Sequence, residues 1–459
     1  MKKEFFEYPY SLNPLGLLAG VSCQPYTVFL HSSMYHPEWG RYTILGWEPF
    51  LVFRSRGRKV SVNGRIFSAD PFETLKELWS KFYKPDESLP FTGGIIGYFS
   101  YDLGFLLERI EEKSDDDLRI PEMNLGFYKN FILWDHREKF AYGTLPVVKE
   151  GKPQEGKIIT PSLPLKLSSN FTYEAYIQAI EKAKDYIRRG DIYQVNLSQR
   201  FSCPFSLNAF SYYSQLTRMN PSFYSAYLNF PEVRVVSSSP ERFLCIENGY
   251  IQTRPIKGTR PRGATREEDS CLKKELAESE KDRAELVMIV DLERNDLGKI
   301  CQSGSVKVKR LREIETHPTV FHTVATVEGR VKEGLTPIDC LKACFPGGSI
   351  TGAPKVRAME IIEELEPTRR NLYTGSIGYI GFNGRADFSI VIRTVLVKDG
   401  QAYFQVGGGI VADSDPEKEY QETLDKGKAL ITTLRRMSHG KNMEEWADFP
   451  GKRLEISAR

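Results

Sequence analysis

The chain has 459 residues, 41% of them hydrophobic and 27% charged, with 63 Lys and Arg against 60 Asp and Glu. That composition belongs to a globular protein long enough for a large core or more than one domain. A formal charge of +3 excludes the strongly basic surface of a nucleic-acid or membrane binder, so neither partner is expected.

The N-terminal "MKKEFFEYPYSL" lacks the apolar run of a secretion signal, because Glu4, Glu7 and Tyr8 interrupt it. The apolar "GGIIGYFSYDLGFLL" carries Asp102 and several glycines, which suit a membrane span poorly. The cytoplasm is the expected compartment. Residues 1–148 read as short strands and turns: "YTVFLHSS", "GRYTILGWEP", "LVFRS" and "KVSVNGRIFS", the last a hairpin around Asn63-Gly64. Residues 149–170, rich in Lys, Pro and Ser, read as a linker or surface loop. A helix follows in "TYEAYIQAIEKAKDYIRRG", capped by Thr172 and stopped by Gly190.

Farther on, "VRVVSS" and "FLCIENGYIQTRPI" are strand-like, the second turning at Asn248-Gly249. "EEDSCLKKELA" and "SEKDRAELVMIVDLERNDLG" are helix-like. "SIVIRTVLVKDGQAYFQVGGGI" reads as two strands joined at Asp399-Gly400, and Asp415 can cap a long final helix. Hairpins mixed with helices predict an α+β fold with antiparallel sheets. The main region spans 171–437, and a polar tail covers 438–459. Seven scattered cysteines, with no CxxC pair, read as small buried hydrophobes in a reducing compartment.

Four features carry possible chemistry. Asp282 and Glu285, and again Glu419 and Glu422, stand three residues apart on helices. Each pair shares a helical face, as an oxygen-ligated divalent cation or a solvated acidic face would have it. Arg393 alternates with Val391, Val395 and Val397, which would place a cation on an apolar strand face. It then needs either an internal salt bridge or a carboxylate ligand. "FPGGSITGAPKVRAMEII" has the glycines of a phosphate loop but Ala353 at the lysine position, which rejects a nucleotide site. It leaves a glycine turn running into a helix whose N–H groups could hold an anion. His322 lies on a probable strand, either as a satisfied core histidine or as part of a site built around it. Finally, "RPIKGTRPRG" packs Arg254, Lys257, Arg260 and Arg262 into one turn-rich stretch. The opposing readings are a solvated basic turn and a cation held for chemistry.

Together "GDIYQVNLSQRF", "SPERF", "PIKGTRPRG", "AELVMIVDLERNDLG", "FPGGSITGAPKVRAMEII", "GYIGFNGRADFSIVIRT" and "GGGIVADSDPEKEYQET" closely resemble the chorismate-utilising enzymes. "FLHSS", "GRYTILGWEP" and "GIIGYFSYDLG" resemble the front half of the large subunits of anthranilate and aminodeoxychorismate synthases. The resemblance covers most of residues 25–435. It implies an anthranilate synthase component I-like fold, a sandwich of antiparallel sheets with helices outside. It implies Mg²⁺, held directly by Glu285 and Glu422 and through water by Asp282 and Glu419. It implies that Arg393, Tyr373 and the Gly408-Gly409 backbone hold the carboxylates of chorismate, with Ser349 nearby and His322 as the active-site histidine. Gln194 stands where water-using relatives carry a lysine, which points to ammonia. "PIKGT" with Lys257, rather than "PIAGT", points to amination at C4, with Lys257 as covalent nucleophile and Glu241 as general acid. Arg254 and Arg260, if close, would help to lower the Lys257 pKa. The expected product is 4-amino-4-deoxychorismate, on the route to p-aminobenzoate and folate. Anthranilate is the alternative, and a non-catalytic subunit is a distant third. The resemblance also implies a separate glutamine amidotransferase subunit that supplies the ammonia. In related anthranilate synthases an "LLES"-like stretch binds tryptophan. Here "FLHSS" puts His31 at the acidic position, which argues against the same feedback contact.

Overall fold

The segment "GIIGYF" forms the strand Gly94–Phe99, buried along its whole length. Ile95 and Phe99 pack with one apolar cluster, while Ile96 and Tyr98 pack with another. "FILWD", the strand Phe131–Asp135, divides the same way: Phe131 and Leu133 join the second cluster, Ile132 and Trp134 a third. Side chains alternate across a strand, so these strands are covered on both faces and read as continuous apolar runs. That pattern follows from two stacked sheets with helices outside, as the computed structural model, which describes residues 5–86, 88–145, 166–317, 320–439 and 457–458, displays.

The first sheet runs through Thr27–His31, Tyr224–Asn229, Arg234–Ser239, Thr394–Lys398, Gln401–Ile410 and Gln194–Pro204 in that spatial order, with N-terminal strands continuing beyond Thr27–His31. The second runs through Ile256–Pro261, Val320–Arg330, Tyr250–Arg254, Arg242–Glu247, Ala386–Ile390, Ser376–Gly381, Gly94–Phe99 and Met123–Tyr128. The pairings along both paths are antiparallel. Residues 1–148 and 171–437 both contribute strands to each sheet. The helices Glu280–Ile300 and Pro337–Cys344 cover the outer face of the second sheet, and Ala209–Met219 and Pro416–His439 that of the first.

Local signals account for the element ends. The turn Asn63-Gly64 has both residues at positive φ, 47° and 84°, as a two-residue hairpin turn requires. The Thr172 hydroxyl accepts from the Ala175 N–H at 3.0 Å and caps the helix Tyr173–Arg188. Asp415 accepts from the Lys418 N–H at 3.0 Å at the start of the final helix. The linker expected at 149–170 lies outside the described residues up to 165, and its end holds the short strand Ser168–Ser169. The tail from 440 to 456 is likewise outside them. Of the cysteines, Cys203, Cys301, Cys340 and Cys344 are buried as expected. Cys245 is half-buried, whereas Cys23 and Cys271 are exposed, because both lie on surface segments away from the sheets.

Candidate active site

A cavity of about 840 Å³ is walled by both sheets and by the helices Glu280–Ile300 and Pro416–His439. Lys257 enters it from the strand Ile256–Pro261, whose pairing with Val320–Arg330 shifts register between Lys257 and Thr259. Gly258 sits at that bulge with φ 78°. The other three cations of the stretch are held in pairs. Arg254 is buried against Glu315 at 2.5 Å and lies 3.4 Å over the Trp39 ring. Arg260 pairs with Glu275 at 2.7 Å and Asp282 at 3.2 Å, and Arg262 with Asp269 at 2.7 Å. Lys257 is the one of the four whose side chain has no ion pair or hydrogen bond among the described residues. Burial lowers its pKa; Glu285 opposes this and the like charge of Lys426 assists it. The expected help from Arg254 and Arg260 is not what the structure shows, because each is already neutralised by its own carboxylate.

Glu241 faces the same cavity and is 5% exposed. Burial raises its pKa, which favours the protonated form, against a Ser349 hydroxyl donating to Oε1 at 2.6 Å and the charge of Lys257. His322 also lines the cavity, with Nδ1 2.9 Å from the Thr259 hydroxyl. Burial, then His317 and Arg393, lowers its pKa to about 3, so it is a neutral imidazole. Tyr373 is buried at the cavity wall, and burial raises its pKa.

Arg393 departs from the sequence reading. The strand breaks at Ile390 and resumes at Thr394, with the first piece in one sheet and the second in the other. Arg393 occupies the crossing with φ 53° and lines the cavity rather than an apolar strand face. Alternation in sequence cannot reveal a positive φ, and one such residue ends the pleat. The guanidinium has no salt bridge or hydrogen bond among the described residues. Burial lowers its pKa to about 10, which leaves it charged at neutral pH.

The four carboxylates converge on this cavity from two helices. Burial raises the pKa of Glu285, against Lys257 and Lys281 and with Asp282 and Glu422 adding to it; burial raises that of Glu419 against the Ser414 hydroxyl, while Lys426 lowers that of Glu422. Among the described residues no three of them already form a metal-binding cluster. Lysines sit beside them instead: Lys426 contacts Glu422 at 2.6 Å and Lys281 contacts Glu285 at 3.9 Å. Asp282 Oδ2 is buried and already lies 3.2 Å from Arg260 Nη2. Four carboxylates gathered on one cavity wall are nonetheless an all-oxygen donor set of the kind that suits a hard divalent cation. A Cβ on Gly408 would lie 3.4 Å from Glu419 Oε2 and 3.6 Å from Glu422 Oε1. The glycine strand therefore brings bare backbone up to the acidic cluster.

The family model described as "chorismate binding enzyme" matches residues 26–432. This chain belongs to that family. Aminodeoxychorismate synthase component 1 of Escherichia coli (strain K12) is 41% identical over 429 residues, covering 90% of this chain and 94% of the relative. Anthranilate synthase component 1 of Acetivibrio thermocellus is 40% identical over 432 residues, covering 86% and 87%. The crystal structure of anthranilate synthase component I from Streptococcus pneumoniae TIGR4 superposes with a TM-score of 0.76 at 34% identity, covering 88% of this chain and 94% of that one. The expected α+β, component I-like fold is thereby established. Relatives of both names stand at nearly equal identity.

In this chorismate-binding enzyme, sequence reasoning missed Lys426 and Lys281. Each lies four residues from a singled-out glutamate on the same helix, so the i,i+4 rule could have found them. The anion grip expected where "FPGGSITGAPKV" enters its helix is absent from the cavity wall. That segment contributes Ser349 and Ile350, while Gly407 and Gly409 line the wall from the strand Gln401–Ile410. A second cavity of about 530 Å³ lies beside Leu30, His31 and Ser32 of "FLHSS". Burial holds His31 neutral there, with a pKa of about 3. No helix among the described residues is long and apolar enough to cross a membrane.

Proposed function

We propose that this enzyme aminates chorismate at C4 and releases 4-amino-4-deoxychorismate, using ammonia from a separate glutamine amidotransferase subunit. The observation that carries the reading is Lys257, a half-buried amine without an ion-pair partner among the described residues, in the same cavity as the buried Glu241 carboxyl, whose pKa burial raises. Neutral Lys257 attacks C2 of the ring while Glu241 gives its proton to the hydroxyl leaving C4, which departs as water. Ammonia then forms the C4–N bond, and the lysine leaves C2 with its electron pair. The new ammonium returns one proton to Glu241. Two allylic displacements replace one difficult substitution, the gain of covalent catalysis. Arg393 and Tyr373 hold substrate carboxylate and oxygen, and His322 offers a neutral ring at the cavity wall. Glu285 and Glu422, with Asp282 and Glu419 beside them, would hold Mg²⁺, which supplies an electropositive anchor for a substrate carboxylate. The reaction belongs to p-aminobenzoate and folate biosynthesis and takes place in the cytoplasm.

The second reading is anthranilate formation, favoured by relatives of that name at 40% identity. A non-catalytic role fits poorly with Lys257, Glu241 and Arg393 meeting in one cavity. The test is to incubate the purified chain with chorismate, Mg²⁺ and ammonium salt at about pH 8.5 and separate the products by chromatography with mass detection. Aminodeoxychorismate that retains the pyruvyl group supports the proposal, and anthranilate as the main product overturns it.

A further inference from the structure

The glycine turn of "FPGGSITG" is held on three sides. Lys355 Nζ donates to the Cys344 and Pro346 carbonyls at 3.0 and 2.7 Å and pairs with buried Asp296. The Thr351 hydroxyl donates to the Gly347 carbonyl at 2.9 Å. Glu293, 2% exposed, accepts from the Gly348 N–H at 3.2 Å. The next residue, Ser349, donates its hydroxyl to Glu241 at 2.6 Å. The turn thus lies between two buried carboxyl groups, with Glu293 behind it and Glu241 in front. A Cβ on Gly348 would lie 2.6 Å from Leu292 Cδ2 and 3.0 Å from Glu293 Oε1, so the turn is seated directly on the helix Glu280–Ile300.

We infer that Glu293 is a positioning residue for the general acid, acting on Glu241 through the Gly348–Ser349 turn. The inference rests on the proposed role of Glu241. Two effects follow from the geometry. The bond to Gly348 fixes the height at which Ser349 meets Glu241. The second buried carboxyl also makes ionisation of either one costlier, because two like charges in a poorly solvated site repel. Burial, with Asp296 adding to it, pushes the Glu293 carboxyl up to about 7. The groups facing Glu293 are Asp296 on its own helix, Lys355 on the helix Lys355–Leu365, Cys344 at the end of Pro337–Cys344, and Glu241 across the turn. Those facing Glu241 are Lys257, Lys426, Tyr373 and Glu293.

The test is the pH profile of kcat for chorismate amination, with free ammonia held constant by adjusting the ammonium salt at each pH. Glu293→Gln keeps an acceptor for the Gly348 N–H and removes the charge. It is expected to move the descending limb to lower pH and to lower kcat about tenfold, against about 10²- to 10⁴-fold for Glu241→Gln, with the chorismate KM within about threefold of the parent. In the Glu241→Gln background, Glu293→Gln should cost nothing further, since residues acting through one group are not additive. An unmoved limb, or an additive loss in the double variant, overturns the inference while leaving Glu241 as the acid. Near-parental activity in Glu241→Gln overturns the reading beneath it. Should Glu293→Gln not fold, Glu293→Asp keeps the charge but withdraws it from Gly348. It should lower kcat with the limb unmoved, and parental kcat in that variant would overturn the inference.

Discussion

Gly409→Ala separates the architecture of the site from the stability of the fold. Gly409 is not among the residues at positive φ, so alanine meets no backbone strain there. What it adds is one methyl group. That methyl would overlap the Gln194 side-chain amide and lie 3.4 Å from Lys257 Nζ. The amide must retreat by more than about 1 Å to reach normal contact. Gln194 is 1% exposed, but its Oε1 accepts no hydrogen bond, so that end of the side chain is not anchored. The cost to the fold therefore belongs near the low end of overpacking penalties, about 1 kcal/mol. The cost to the reaction is larger. A methyl beside the nucleophile keeps substrate off the backbone, and a misplacement of about 1 Å can cost about 10²-fold in rate. Thermal unfolding and steady-state amination measured on one preparation give both quantities. Gly407→Ala is the contrast, because its Cβ would meet the Leu197 carbonyl at 2.6 Å and Ser198 Cβ at 2.7 Å, where the backbone itself must yield. The reasoning is refuted if Gly409→Ala aminates chorismate within about threefold of the parent, or if it melts as early as Gly407→Ala.

Arg393→Gln should raise the chorismate KM at least tenfold, since a charged hydrogen bond contributes about 1.5–3 kcal/mol, while thermal stability holds or rises because an unpaired half-buried charge is removed; an unchanged KM would sink its role in binding. Chelation of divalent ions should abolish amination, and Glu422→Gln should raise the Mg²⁺ concentration needed for half-maximal rate at least tenfold; equal titrations for variant and parent would refute the assignment. His31 and His322 are both held neutral by burial, with pKa values of about 3. The unfolded chain takes up those protons first, so stability is full above about pH 6.5 and is lost as pH falls towards 3, by about 2 kcal/mol per histidine between pH 7 and 5. His322→Gln should flatten the fall in melting temperature over that range, and a parental slope would contradict the assignment.

Features written in local chemistry were legible in the sequence. The Asn63-Gly64 turn, the Thr172 cap and the facing of each acidic pair follow from residue type and spacing alone. The meeting of Lys257 with Glu241, and of Asp282 with Glu419, depends on how two sheets stack, and only the resemblance to a known family brought those residues together beforehand. Arg393 shows why. Val391, Arg393, Val395 and Val397 alternate as a strand would, but the chain changes sheets between Ile390 and Thr394. Arg254, Arg260 and Arg262 show the converse, since their carboxylate partners lie between 7 and 61 residues away and no charge count assigns them.

The interleaving of early and late strands sets a rule for how this chain can be cut and how it can form. Gly94–Phe99 pairs with Ser376–Gly381, and Thr27–His31 with Tyr224–Asn229. The acidic helices and Lys257 all lie after residue 171, yet a fragment beginning there would lose the neighbour of two interior strands and expose long apolar edges to aggregation. Such a fragment is not an independent catalytic unit. During synthesis the strand at 94–99 has no partner on that side until nearly 300 further residues have been added. The loop that closes on pairing is correspondingly long, which places this chain among the slow folders of high contact order.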